Sequence, residues 1–404
     1  MLREASFSAS ASSSATQLPL LLCFSHLRWS FVWQRPQQLM SRFADRYRVV
    51  FVEEPVMATD YSPSLLSKRE TNGVTVLTPV LARSEFDQGY CERSNQAIRA
   101  LLSRWLERNE PGAHPVVWYW TPLALGACPE TLSTALVVYD AMDELSAFRF
   151  APANLVQQEA ALMRWSDLIF TGGPSLYRSR CERHPRVSCF PSGVDAAHYR
   201  KAAVGRGKPD IDALHLGYVG VLDERIDFDL IAGIADLRPE WTISLVGPFA
   251  KIAPEDVPSR PNIQIHGMQP YEELPSFMAT FDVGMLPFAL NEATRFISPT
   301  KTLEYLAAEL PVVSTPVQDV RDLYGDCVSI ASDPEAFVYG AEAMVLASAG
   351  AVRTRKRRAN AHLERHAWDT IVASMAELIE RANRPTYLPQ LQVELLQPLA
   401  GQAD

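Results

Sequence analysis

Short apolar, β-branched runs alternate along the chain with longer stretches whose apolar residues recur at helical spacing. In the first half the runs are "LLLCF" from Leu20, "RVVFVE" from Arg48, "VTVL" from Val74, "VVWYW" from Val116, "ALVVYD" from Ala135, "DLIF" from Asp167 and "VSCF" from Val187. A second series follows: "LHLGYVG" from Leu214, "WTISLVG" from Trp241, "NIQIHG" from Asn262, "DVGMLPF" from Asp282, "LPVVST" from Leu310 and "CVSIAS" from Cys327. Apolar strands separated by helix-length segments predict parallel sheets built from βαβ units. The Gly-, Lys- and Pro-bearing stretch Gly205–Asp210 lies between the two series and reads as a linker. The expectation is an α/β chain of two doubly wound, Rossmann-like domains, 18–204 and 205–365, facing each other across a cleft. Residues 1–17 read as a disordered leader, 366–384 as a C-terminal helix packing back towards the first domain, and 385–404 as a Pro-broken tail.

Composition narrows this picture. A chain of 404 residues with 47% hydrophobic and 21% charged residues has the balance of a globular protein with more than one core. A formal net charge of −9 excludes a general nucleic-acid binder, which needs a basic footprint. The basic run "RTRKRR" at Arg353–Arg358 fits a solvated helix face or, in a second reading, contact with anionic lipid headgroups at the inner face of a membrane. Six cysteines are scattered without a CxxC pair or metal-ligand spacing, which fits a reducing cytoplasm and gives no indication of a metal. The apolar stretch Leu18–Phe24 is too short for a membrane span and reads as a first buried strand.

Candidate chemistry starts at "SPTKTLEYLAAELPVVSTP", Ser298–Pro316. Ser298 can cap a helix, Pro299 suits its first position, and Leu303, Leu306, Ala307 and Leu310 form a core face. Lys301 and Glu304 lie on another face near the N-terminus. Two readings fit them. One is an intrahelical ion pair. The other is a diphosphate site, where the free N–H groups and Lys301 meet phosphate and Glu304 accepts hydrogen bonds from the vicinal hydroxyls of a ribose.

That stretch, following "DVGMLPFALNEATRFIS", resembles the donor-binding half of GT-B fold glycosyltransferases of family 4, the large retaining group with bacterial exopolysaccharide-type members. The same resemblance is carried by "SHLRWSFVWQRPQQLMSRFA", "VVYDAMDELSAF", "EAALMRWSDLIFTGGPSLY", "HPRVSCFPSGVDAAHY", "GYVGVLDERIDFDLIAGIADLRPEW" and "GMQPYEELPSFMATFDVGMLPF", from about Leu20 to Ala382. It implies a sugar transferred from a UDP- or GDP-linked donor to a carbohydrate or lipid-linked acceptor, with retention of configuration, no metal and no further cofactor. Glu304 would hold the ribose, with Ser298 and Thr302 beside it. Gly220 and Arg225 would cradle the diphosphate, and Lys301 would contact the phosphate or leaving group. Gly247, Pro248, His266, Gly267 and Met268 would surround the base, mostly through backbone atoms. The family's Glu-x7-Glu pair is incomplete, because its first position is Phe296. Glu292 is the substitute carboxylate to face the donor, with Arg295 beside it; the alternative is an exposed loop acid. Glu309 stands where relatives have glycine.

On the acceptor side, His26, Trp29, Trp33, Gln34 and Arg35 are expected at the cleft, since rings stack on sugars and arginine grips phosphate or carboxylate. Core packing explains the tryptophans equally. Asp140, Asp143 and Glu144 follow "LVVY", and Asp143 is the candidate for the group nearest the reacting sugar carbon, as acceptor base or hydroxyl contact; a helix cap is the alternative. Two other functions share these residues: a nucleotide-sugar epimerase of the same fold, and a non-catalytic scaffold for which Phe296 is the best support.

Overall fold

In the computed structural model the described residues are 18–58, 62–83, 89–383 and 386–387. The expected disordered leader, and all of the expected tail except 386–387, lie outside them. The first half contains β1 (Leu20–Phe24), α1 (Arg35–Phe43), β2 (Arg48–Val52), β3 (Val56–Ala58), β4 (Ser64–Arg69), β5 (Thr75–Ala82), α2 (Glu92–Asn109), β6 (Val116–Tyr119), β7 (Ser133–Thr134), β8 (Leu136–Ala141), α3 (Leu155–Trp165), β9 (Leu168–Thr171), α4 (Pro174–Arg180) and β10 (Val187–Cys189). The second half contains α5 (Ala196–Arg200), β11 (His215–Val219), α6 (Phe228–Leu237), β12 (Thr242–Val246), β13 (Ile263–Gly267), α7 (Leu274–Ala279), β14 (Val283–Leu286), α8 (Thr300–Ala307), β15 (Val312–Ser314), α9 (Gln318–Tyr324), β16 (Ser329–Ile330), α10 (Pro334–Val345), α11 (Ala349–Arg365), α12 (Trp368–Ala382) and β17 (Thr386–Tyr387).

Both large sheets have doubly wound order. The second runs β13-β12-β11-β14-β15-β16 and is parallel throughout. The first runs β10-β9-β8-β6-β1-β2-β5-β3, with β4 antiparallel on β5. Alternation along each strand loads both faces. Leu20, Leu22 and Phe24 join the core beneath α2 and α3, whereas Leu21 and Cys23 join the opposite core with Leu39, Met40 and Phe43 of α1. Strand order reverses between β1 and β6 in one sheet and between β11 and β14 in the other, so each sheet has a crevice at its strand ends.

The chain passes into the second core at Val194, which packs there with Tyr199 and Ala202. It returns at Ala367, after which Trp368, Ile371, Met375 and Ile379 of α12 pack in the first domain's core. The two crossings lie side by side: Val194 bridges Ala367, and the Val194 amide donates to the His366 carbonyl at 2.8 Å. Gly193 permits this approach, because a Cβ there would sit 2.8 Å from the His366 oxygen and the Trp368 ring. The expected boundary at Gly205 is therefore displaced. Gly205–Asp210 connects α5 to β11 within the second domain; its composition marks an exposed turn, with Gly205 at φ +75°, not the crossing itself.

Candidate functional site

The crevices of the two sheets face each other and form an open cleft between the domains. From the first domain it is lined by the β1–α1 loop at Val32–Arg35 and by Asp143 after β8, and from the second by Gly220, Arg225, Phe288 and the start of α8. A second chamber opens off it between Trp29–Trp33 and the ends of β11, β12 and β13, where Gly247, Pro248 and Met268 lie. Gly247 (φ +153°) is required at this point, since a Cβ would fall 1.8 Å from the Gly220 carbonyl oxygen. Two strand-end loops can thereby meet backbone to backbone.

On the donor wall Lys301 donates to Glu304 at 2.6 Å. Both are largely buried, and Lys301 lines both chambers. Glu304 lies near Tyr199, whose ionisation is pushed well up, first by burial and then by the charge of that carboxylate. The Tyr271 ring stacks on His198 at 4.1 Å and approaches Trp33 of the opposite domain at 6.2 Å. Arg225 is clamped by Asp223, with hydrogen bonds of 2.6–3.0 Å. Burial alone would lower its pKa, but the Asp223 hydrogen bond and the Asp223 and Asp143 charges outweigh that and raise it. Asp143 faces it across the cleft. Burial, the largest effect, lifts the Asp143 carboxyl to about 6 against the pull of Arg225.

The structure thus brings Asp143, Trp33, Gln34, Gly220, Arg225, Ser298, Lys301 and Glu304 to one cleft, with Gly247 and Met268 in its side chamber. Several expected residues sit elsewhere in role. Arg35 touches the cleft but is 2% exposed, and its guanidinium is consumed by Asp140 at 3.0 Å and the Phe190 carbonyl at 2.8 Å. It is the first residue of α1, so its side chain reaches to the end of β8 and not to an acceptor. Glu292 and Arg295 are exposed, pair with each other at 3.6 Å and do not line the cleft. The loop places Ile297 and Ser298 there instead.

Ser298 does not cap α8: Pro299 occupies the cap position with no side-chain bond, and the Ser298 side chain packs against Gly173 of the first domain. Thr302 is fully buried on the core side, and its Oγ1 has no hydrogen-bond partner among the described residues. The His266 ring turns to Ser244 at 3.0 Å and to the Phe277 edge, away from both chambers. Gly267 takes a left-handed φ of +65° as β13 ends. His26 lies outside the cleft lining; its Nδ1 is buried without a partner among the described residues, and burial together with the Lys251 charge pushes its pKa down to about 4. Trp29 packs on Phe51 and also lines the side chamber, while Trp33 lines both chambers.

Tyr199, Tyr271 and Asp223 were not reached from sequence. Each is separated in the chain from the group it serves, except Asp223, whose spacing of two from Arg225 is the one local signal.

Residues 213–346, which hold Gly220, Arg225, Lys301 and Glu304, match the protein family described as "Glycosyl transferases group 1". TuaH of Bacillus subtilis (strain 168), named for teichuronic acid biosynthesis as a glycosyltransferase, is 24% identical over 240 residues. That alignment covers 54% of this chain and 59% of the relative's length. Among solved structures, sucrose-phosphate synthase from Thermosynechococcus elongatus superposes with a TM-score of 0.65 at 12% identity, over 90% of this chain and 99% of that one. An α,α-trehalose 6-phosphate synthase from Burkholderia multivorans gives 0.63 at 13% identity, with the same coverages of 90% and 99%. A trehalose-6-phosphate protein from E. coli, solved with UDP-2-fluoro glucose, gives 0.62 at 12% identity over 91% and 100%. The fold is GT-B: two doubly wound Rossmann-like domains facing across a cleft.

Proposed function

We propose that the chain is a glycosyltransferase that moves a sugar from a UDP- or GDP-linked donor to a carbohydrate or lipid-linked acceptor, with retention of configuration, in synthesis of a bacterial surface polysaccharide. The observation that carries this reading is the convergence of Arg225, Lys301 and Glu304 with the start of α8 on one wall of the cleft, opposite Asp143. Arg225, Lys301 and Glu304 lie within the segment that matches the group 1 family, and the likeness to TuaH supports the polysaccharide setting.

In this reading the donor diphosphate takes the N-terminal end of α8. Lys301 turns from Glu304 to phosphate, and the freed carboxylate accepts the ribose hydroxyls. Cations already fixed in a low-dielectric cleft stabilise the charge that grows on the departing diphosphate more than the ground state. The bond from the sugar's anomeric carbon to phosphate oxygen breaks. A bond to the acceptor oxygen forms on the same face, and the acceptor proton passes to the leaving phosphate. Asp143 orients the acceptor hydroxyl, and no metal takes part. A lipid-linked acceptor would bring the protein to the inner face of the plasma membrane; no single helix among the described residues is long and apolar enough to cross it.

The test is incubation with UDP- and GDP-sugars and a cell-envelope acceptor fraction, reading released diphosphate and labelled product. Wild type should release one diphosphate with stoichiometric transfer, and Arg225→Ala should lose at least tenfold in rate, about what one charge-assisted contact supplies. Binding of a nucleotide sugar followed by release of an altered sugar nucleotide without acceptor would point to an epimerase. No binding would point to a scaffold.

A further inference from the structure

A loop of the first domain crosses the cleft mouth and grips the donor wall. It leaves β8 at Ala141, carries Asp143 and turns through a short 3-10 helix at Leu145–Ala147. Its root is held by Arg180, 1% exposed, which donates to Glu144 at 2.8 Å and to Glu159 at 2.6 Å. Beyond the turn, the Phe148 ring receives two cations of the second domain: Lys251 Nζ lies 4.4 Å from the ring centroid and the Arg225 guanidinium 5.3 Å. The next residue continues the contact. The Arg149 amide donates to Glu224 Oε1 at 3.1 Å, its guanidinium to the Lys251 carbonyl at 3.4 Å, and Lys251 closes the set on Glu224 at 3.2 Å. Phe150 and Lys251, one on each side of the contact, hold left-handed φ values of 67° and 61°, which L-residues other than Asn, Asp or Gly seldom adopt.

We infer that Phe148 is a positioning residue for the donor diphosphate, holding the Arg225 guanidinium against its ring as the Asp143 loop docks; this rests on the reading of Arg225 as a diphosphate ligand. A negatively polarised ring face attracts a cation, so the ring adds to the Asp223 carboxylate in holding Arg225 and to the Glu224 carboxylate in holding Lys251. Asp223 fixes Arg225 from one side and Phe148 from the other, so the guanidinium is oriented before the diphosphate arrives. Because the same loop bears Asp143, one docking event sets the first-domain carboxylate and the second-domain cation together.

The test uses the full chain with three substitutions, Phe148→Ala, Phe148→Leu and Phe148→Tyr, and two readouts. UDP and GDP are titrated calorimetrically; backbone hydrogen exchange is followed in 144–151 and 248–252 without ligand. Leucine keeps apolar bulk and loses the π face, and tyrosine keeps both. The expected result is that Phe148→Leu and Phe148→Ala weaken the bound diphosphate about tenfold while Phe148→Tyr stays within about twofold. Exchange should rise in both segments together in Phe148→Ala, with the remaining core protected. Wild-type affinity in Phe148→Leu overturns the role of the ring. Should wild type bind neither diphosphate, the donor reading fails and the docking is decided by exchange: a coupled rise supports it, and unchanged exchange in 248–252 overturns it.

Discussion

Replacing Asp143 by asparagine should stabilise the protein while removing a group at the centre of its cleft. Burial raises this carboxyl from 3.8 to about 6, even with Arg225 and Arg35 nearby to favour its charge. At about 1.4 kcal/mol per pKa unit, a carboxylate ionised against that preference opposes folding by roughly 3 kcal/mol at neutral pH, and contact with water in the cleft reduces this to about 2 kcal/mol. The sign follows from the direction. A folded pKa above the unfolded one favours the native state fully below about 4, and that benefit is lost as pH rises through about 6. Asp143→Asn should therefore be more stable than wild type by about 2 kcal/mol at pH 7.5, shrinking to under about 1 kcal/mol at pH 4.5. Urea unfolding followed by tryptophan fluorescence at the two pH values measures both differences. An asparagine variant no more stable than wild type at pH 7.5, or a gain equal at both pH values, would refute the burial of an ionised Asp143. Sugar transfer, read in parallel, should fall in the variant at every pH.

Three further substitutions test how roles are divided around the cleft. Asp140→Ala strands the Arg35 guanidinium beneath β8 and should cost about 3–5 kcal/mol by chemical denaturation, far beyond what an acceptor contact would lose. Thr302→Val removes a buried hydroxyl without a partner at nearly constant shape and should raise stability by about 1 kcal/mol; a loss of nucleotide affinity instead would return Thr302 to the donor site. Glu309→Gly relieves a left-handed φ of 56° after α8 and gives up only the exposed Lys356 pair, for a net gain of about 0.5–1 kcal/mol in melting experiments.

The parallel strands were legible as short apolar runs, and thirteen such runs correspond to β1, β2, β5, β6 and β8 to β16; the interior strands are buried on both faces, whereas β10, β13 and β16 are partly exposed and keep only the apolar run. The antiparallel β4 was not: "SLLSKR" is mostly exposed, so it lacks the hydrophobic signature of a buried strand. The crossing at Val194 leaves no local trace in the sequence because it is stabilised by His366 and Ala367, far along the chain, whereas the glycines and proline of 205–210 mark an ordinary turn. In the site, Lys301 and Glu304 were readable from spacing on one helix. Arg35 misled, since an arginine at a helix start beside the cleft looks the same whether its partner is a ligand or a buried Asp140. Tyr199 required the packing of α5 on α8 within the second domain, and Tyr271 and Phe148 the packing of two domains, which no local pattern records.

Calorimetric titration of UDP and GDP into wild type and Glu304→Ala tests the central claim most directly. The account predicts that wild type binds one of the two diphosphates, and that the variant, still folded by its melting temperature, loses about 10–100-fold in affinity, the worth of hydrogen bonds from two ribose hydroxyls to a carboxylate. Equal affinity in the variant, or no binding of either nucleotide to a well-folded wild type, would contradict it.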